Sequence, residues 1–155
     1  MPSEHRLAPD RPGIVYPGAY AYGALMALVN LIVALALLQF FAFATAVGMA
    51  REKYNVVAPA TTGNEVFERY FRVQMNTMEL LIMFVPAIWM FGFYVSANVA
   101  AGLGAIYLIG RGVYFFSYVK DPRKRSLGFG LSAGPVAVLV VGALIGAAAG
   151  LMHRS

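Results

Sequence analysis

Residues 73–95 read VQMNTMELLIMFVPAIWMFGFYV, a run of twenty-three residues in which only Glu79 is charged. About 20 mostly apolar residues suffice for an α-helix to cross the hydrocarbon core of a bilayer, which is about 30 Å thick. A helix also bonds its own backbone N–H and C=O groups, as lipid requires. This stretch is therefore predicted to be a membrane-spanning helix, and Pro86 within it predicts a kink.

Three further stretches have the same character, at about 19–49, 99–118 and 129–152. The whole chain of 155 residues is 60% hydrophobic and 12% charged, whereas soluble domains are about 45–50% apolar and about 25% charged. The Gly-Ala-Leu composition of the last stretch does not alternate as a barrel strand would. The predicted fold is an all-α integral membrane protein, a bundle of four transmembrane helices.

The segment before the first apolar stretch is polar and rich in proline. Residues 1–18 contain Pro2, Pro9, Pro12 and Pro17 and are predicted to form an arm, followed by one four-helix domain at 19–155. The first apolar stretch is longer than the apolar region of a signal peptide, so we expect it to be retained.

The charged residues cluster between the predicted helices. The loops at 50–72 and 119–128 hold eight of the twelve Lys and Arg residues. The positive-inside rule predicts that both loops are cytoplasmic and that both termini lie on the opposite side. If the host is bacterial, the membrane is its inner membrane. This placement argues against a nucleic-acid partner despite the net charge of +5. The absence of cysteine excludes disulfides, thiolate metal sites and a nucleophilic thiol in the protein itself.

A stripe of small residues, Gly142, Gly146 and Gly150, lies along one face of the last helix. Glycines four residues apart allow a second helix to approach closely. The stripe is consistent with packing inside the chain or with a contact between subunits, and the sequence does not decide between them.

The second predicted helix carries polar side chains along one of its faces. Arg72, Asn76 and Glu79 are spaced i, i+4 and i+7, which places them on the same side of a helix. Ionisable groups inside a membrane are costly and are usually functional. Gln74 points to roughly the opposite side, so this helix offers polar groups to two neighbours. That arrangement suits an oligomer with a site between chains.

The third predicted helix carries a matching stripe of Tyr107, Arg111, Tyr114 and Tyr118. One explanation of this stripe is that it anchors the helix at the membrane interface, since tyrosine favours the headgroup level and arginine reaches toward it. Another is an Arg111–Glu79 ion pair that only neutralises two buried charges. If the two stripes instead form a binding site, the converging arginines would bind carboxylates, and a glutamate beside an amide would bind an ammonium group. A peptide-like zwitterion fits this combination.

Two sequence blocks resemble the MAPEG family, the membrane-associated proteins of eicosanoid and glutathione metabolism. Residues 67–79, FERYFRVQMNTME, are similar to the family signature E-R-x-x-R-x-Q-x-N-x-x-E, and residues 111–118, RGVYFFSY, are similar to R-x-x-Y-F-x-x-Y. Residues 59–63, PATTG, resemble the family's first loop. The likeness covers roughly residues 50–125.

The resemblance implies a four-helix protomer, a homotrimer, and a glutathione site between adjacent protomers on the cytoplasmic side. Glutathione would be a co-substrate, and no metal is implied. Arg125 matches the family arginine thought to hold the glutathione thiolate, and a nearby guanidinium does favour a thiolate. The positions that match glutathione contacts are Arg51, Arg72, Gln74, Asn76, Glu79, Tyr114 and Tyr118.

Arg125 has an alternative role, because in the run Arg123-Lys124-Arg125 it would contact lipid phosphate, as such clusters usually do. The chain also departs from the leukotriene-forming members of the family. Glu52 stands where they have a second arginine, and Leu80 stands where they have a tyrosine. Leukotriene synthesis is therefore not expected.

The leading functional hypothesis is a membrane-bound glutathione transferase or peroxidase that activates glutathione as a thiolate. Its second substrate would be a lipophilic electrophile or a lipid hydroperoxide. The alternative is a non-catalytic lipid-binding or scaffolding protein of the same family, although a lipid groove gains nothing from buried charges. A glutathione-dependent isomerase is a third hypothesis. A transporter is disfavoured because the chain shows neither a repeat nor a pair of broken helices.

Overall fold

The computed structural model describes residues 17–152, with side chains described from residue 23 onward. These residues form four α-helices: α1 (Pro17–Lys53), α2 (Glu65–Phe91), α3 (Ala97–Lys120) and α4 (Ser126–Met152). A π-helical turn, Gly92–Ser96, joins α2 to α3, and a 3-10 turn, Pro122–Lys124, precedes α4. The arm predicted at 1–18 lies outside the described residues except for its last two, which begin α1.

Three helical segments are long and apolar enough to cross a membrane: Gly23–Lys53, Glu65–Lys120 and Pro122–Met152. The middle segment contains both α2 and α3. The chain leaves helical geometry at Ser96, which has φ −165° and ψ 121° and accepts a hydrogen bond from Val99 N at 3.4 Å. The regular structure of residues 17–152 is therefore all helical, and the protein is membrane-embedded, as the sequence predicted.

Helices α2 and α3 form the centre of the bundle because each of them contacts both α1 and α4. In the core, the ring of Phe84 on α2 stacks on that of Tyr107 on α3, with centroids 4.0 Å apart. Two glycines allow α3 and α4 to come together. Gly110 lies against the backbone of Leu131, and Gly128 lies against the backbone of Tyr114. This close approach brings the start of α4 beside the last turns of α3.

The glycine stripe on α4 packs within the chain. A Cβ atom at Gly142 would overlap the ring of Phe91, and one at Gly146 would lie 2.9 Å from Tyr94 Cβ. These contacts support the first of the two alternatives for the stripe, an interface between helices of one protomer. Helix α2 continues through Pro86.

The start of α2 is capped by side chains. Asn64 Oδ1 accepts hydrogen bonds from Val66 N at 2.9 Å and from Phe67 N at 3.2 Å. Glu68 Oε1 accepts one from Gly63 N at 3.0 Å. The two bonds to Asn64 satisfy N–H groups that the first turn of a helix leaves without partners. Together with the bond from Gly63, they define where α2 begins.

Replacing Asn64 by alanine is expected to lower the free energy of unfolding by about 1 kcal/mol, because two N–H groups lose their acceptor. Thermal unfolding in detergent measures the change. Asn64→Asp is the matched control, since it keeps an acceptor oxygen and should unfold at the wild-type temperature. Equal unfolding temperatures for Asn64→Ala and the wild type would contradict the role of the cap.

Candidate functional site

A cleft of about 290 Å³ opens where α2, α3 and the start of α4 meet. The cleft forms here because α3 and α4 approach each other closely at Gly128. This approach brings the residues before α4 toward α2. Four of the eight predicted site residues line it, together with Phe129 from α4. The lining consists of Arg72, Asn76, Tyr114, Arg125 and Phe129.

A second cleft, of about 520 Å³, adjoins the first because Arg72 lines both. Tyr118 lines this second cleft, and its ring lies 5.3 Å from that of Tyr114. Glu65, Glu68 and Arg69 contribute further charged groups to its wall. Tyr118 is therefore next to the smaller cleft, as its spacing on α3 predicted.

Among the three consecutive cations at 123–125, Arg125 lines the smaller cleft. Arg123 does not line this cleft, and its Nε atom lies 3.2 Å from Asp121 Oδ1. The same carboxylate oxygen accepts a hydrogen bond from Arg123 N at 3.1 Å. These two contacts lower the pKa of Asp121. Arg125 and Arg123 are thus chemically alike but differently placed.

Arg111 lies behind the wall of the smaller cleft and is fully buried, with 0% of its surface exposed. Its Nη1 atom donates to Asn76 Oδ1 at 3.0 Å, and its Nη2 atom donates to Thr77 Oγ1 at 2.6 Å. The guanidinium lies over the ring of Tyr114, 4.4 Å from the centroid. Arg111 therefore joins α3 to α2 and holds two residues of the cleft.

The alternative of an Arg111–Glu79 ion pair is wrong, because Asn76 stands between the two groups. Asn76 Nδ2 lies 3.4 Å from Glu79 Oε2, while its Oδ1 atom faces Arg111. Glu79 itself is exposed on α2. The carboxylate is therefore linked to the cleft through the amide.

Three predicted residues line neither cleft: Glu79, which lies beside Asn76, and Arg51 and Gln74. Arg51 donates to Val56 O at 3.2 Å and to Ala60 O at 2.7 Å, so it holds the loop between α1 and α2. Its guanidinium also lies 4.7 Å from the centroid of the Phe67 ring. Gln74 is half-buried on α2. One chain thus brings together Arg72, Asn76, Tyr114 and Arg125, but not Arg51 or Gln74.

The sequence reasoning missed Phe129, which lines the smaller cleft, and Thr77, which bonds Arg111 behind it. Thr77 lies one position after Asn76, so the i, i+4, i+7 count passes over it. The sequence did contain one signal for Thr77. It is a threonine inside an apolar helix, and such a threonine commonly bonds the carbonyl four residues earlier. Thr77 Oγ1 does donate to Val73 O, at 2.7 Å. Phe129 carried no polar signal.

The smaller cleft is positively charged. The guanidinium groups of Arg72 and Arg125 line it, and the buried charge of Arg111 lies behind Asn76 and Tyr114. Guanidinium groups bind carboxylates and stabilise a thiolate over a thiol. Within residues 17–152, no group of three His, Cys, Asp or Glu side chains is placed to hold a metal ion. The arrangement is suited to a small anionic ligand.

Comparison with known proteins agrees with the geometry. The model of the MAPEG family matches residues 21–145. Microsomal glutathione S-transferase 2 of Homo sapiens is 46% identical over 103 residues, which cover 66% of this chain and 70% of that protein. An uncharacterized protein of Synechocystis is 48% identical over 115 residues, 74% of this chain and 84% of that protein. Leukotriene C4 synthase of Cavia porcellus is 35% identical over 123 residues, 79% of this chain and 80% of that protein. This chain belongs to the MAPEG family.

Proposed function

We propose that the protein is a membrane-bound glutathione transferase that binds glutathione as a thiolate and presents it to a lipophilic electrophile. The observation that carries the proposal is the cleft in which Arg125 and Arg72 face Asn76 and Tyr114. Relatives named as a glutathione transferase and as leukotriene C4 synthase support the same activity.

The chemistry needs one thiol, which the ligand supplies because the chain has no cysteine. The thiol proton leaves to water, and the guanidinium of Arg125 stabilises the sulfur anion that remains. The thiolate then attacks an electrophilic carbon, forms a C–S bond and displaces a leaving group or adds to a double bond. With a lipid hydroperoxide, two glutathione thiols would reduce the O–O bond to an alcohol and water and would leave glutathione disulfide.

We propose further that α1, α2, α3 and α4 each cross the membrane and that three chains form a homotrimer. Glu79 is the fifteenth residue of the 27-residue helix α2 and is exposed in the single chain. An exposed carboxylate at that depth is costly in lipid. A neighbouring chain that covers this face would remove the cost. Arg51 and Gln74 of that neighbour would then reach the glutathione from the other side.

We propose that the loops at 50–72 and 119–128 face the cytoplasm, with both termini on the opposite side. Arg69, Arg72 and Arg125 line the clefts and lie within these two segments. In the structure Arg69 and Arg72 belong to the first turns of α2, which begins at Glu65, and Arg125 lies just before α4. The positive-inside rule supports this orientation. Glutathione would enter from the cytoplasm, and the lipophilic substrate would arrive from the bilayer.

Titration of the detergent-purified protein with glutathione tests the proposal. We expect saturable binding together with an ultraviolet difference signal of a thiolate near neutral pH. S-methylglutathione is the matched control, because it can bind but has no thiol to ionise and should give no signal. Binding without a thiolate signal would contradict the role of Arg125. Absence of binding, with fatty-acid binding intact, would support the lipid-scaffold alternative instead.

A further inference from the structure

Arg111 determines which way the Asn76 amide points. The guanidinium has five N–H donors and no acceptor, so the Asn76 atom that faces it must be the oxygen. The Nη1 atom of Arg111 lies 3.0 Å from Asn76 Oδ1. Since the amide is planar, its nitrogen is turned away from Arg111, toward Glu79. Asn76 also lines the smaller cleft, and we infer that the nitrogen is the atom it offers there.

The amide nitrogen keeps one donor for a ligand. It has two N–H groups, and Glu79 Oε2, at 3.4 Å, can take one of them. The other is left for a group inside the cleft that Asn76 lines. Because an N–H group donates, the ligand must place an acceptor oxygen there.

Further contacts hold the Arg111 guanidinium in its position beside Asn76. Nη2 donates to Thr77 Oγ1 at 2.6 Å and lies 3.4 Å from Val73 O, while the planar group covers the Tyr114 ring. A lysine ammonium is a point charge and lacks this planar fork. The described ion pairs are Arg69–Glu65 and Arg123–Asp121, so the buried charge of Arg111 acts on neutral partners. A hydrogen bond to a cation also polarises the amide and strengthens its N–H groups as donors.

We propose that Arg111 is a positioning residue: it fixes Asn76 so that the cleft presents an N–H donor and selects a ligand carboxylate or carbonyl oxygen at that point. This inference rests on the proposed function when the ligand is glutathione, which carries both kinds of oxygen. It assigns Arg111 an indirect role, since its own side chain is fully buried.

Asn76→Asp tests which atom faces the cleft. The new carboxylate can still accept from Arg111, so the protein should fold and unfold near the wild-type temperature. The donor in the cleft is replaced by an anion, and the Kd for glutathione should rise about tenfold or more. Wild-type affinity in Asn76→Asp would overturn the proposal.

Arg111→Lys and Thr77→Val test whether Arg111 acts through the amide or only through stability. Both changes remove the hydrogen bond between Arg111 and Thr77, but only Arg111→Lys also disturbs the bond to Asn76. We expect the Kd for glutathione to rise at least about fivefold in Arg111→Lys and less than about twofold in Thr77→Val. Equal changes in the two variants would mean a purely structural role and would overturn the proposal.

A measurement without glutathione separates this inference from the proposed function. The side-chain ¹⁵N resonance of Asn76 is identified in asparagine-labelled protein by its loss in Asn76→Asp. In the ligand-free protein this resonance should shift more in Arg111→Lys than in Thr77→Val. A larger shift in Thr77→Val would overturn the positioning role. If the wild type binds no glutathione, the proposed function fails, and this comparison alone decides the role of Arg111.

Discussion

Arg125→Ala is expected to lower the rate of glutathione conjugation by about 100-fold, with little change in the unfolding temperature. The expected decrease in rate reflects the loss of one group that stabilises charge in a preorganised site. Such a loss typically lowers the rate by a factor of about 10²–10³. Arg125 is exposed and is not part of the hydrophobic core of the bundle, so the fold should survive. The measurement is single-turnover conjugation of a small lipophilic electrophile by purified protein.

The conjugation rate of Arg125→Ala should also depend on pH, and the direction of that dependence can be predicted. Without the guanidinium, the pKa of the bound thiol should rise toward its free value of about 8.5. The thiolate fraction then falls at neutral pH and recovers as the pH increases. The rate of Arg125→Ala should therefore climb between about pH 7 and pH 9, a range in which we expect the wild-type rate to be flat.

Arg123→Ala is the control for Arg125→Ala. It removes the same charge two residues away, from a side chain that pairs with Asp121 and does not line the smaller cleft. Its rate should stay within about twofold of the wild type, as is usual when an exposed ion pair is removed. Equal losses in the two variants would show that only the net charge of the 123–125 run matters, for instance through lipid phosphate.

Gly128→Ala is expected to destabilise the bundle by about 2–3 kcal/mol or more and to abolish binding in the cleft. A Cβ atom at this position would overlap the backbone of Tyr114, which cannot move away as a flexible side chain can. Helix α4 would have to separate from α3 at the point that holds Tyr114 and Arg125. Thermal unfolding and glutathione titration in detergent measure the two effects.

Gly130→Ala is the matched control, because it makes the same substitution two residues further along α4. No atom lies within 4 Å of a Cβ built there. Alanine should be neutral or stabilise the helix by about 0.5–1 kcal/mol, since glycine is the poorer helix former. If Gly128→Ala unfolds at the same temperature as Gly130→Ala, the close approach of α3 and α4 is not required.

The sequence by itself determined the class of the protein and predicted four of the residues that line the smaller cleft. Long stretches with few charges, separated by basic segments, favour membrane helices, so the four helices were predictable from length and charge. Helical periodicity also placed Arg72 and Asn76 on one face of α2. Both residues line the same cleft in the structure.

Only the tertiary structure decided how each helix is turned toward its neighbours. Periodicity says which residues share a face but not what that face meets, because rotation about the helix axis is set by packing. Gly110 and Gly128 set that packing between α3 and α4. As a result Arg111 is buried beneath Asn76 instead of lining the cleft, and Arg125 faces the site while Arg123 turns to Asp121.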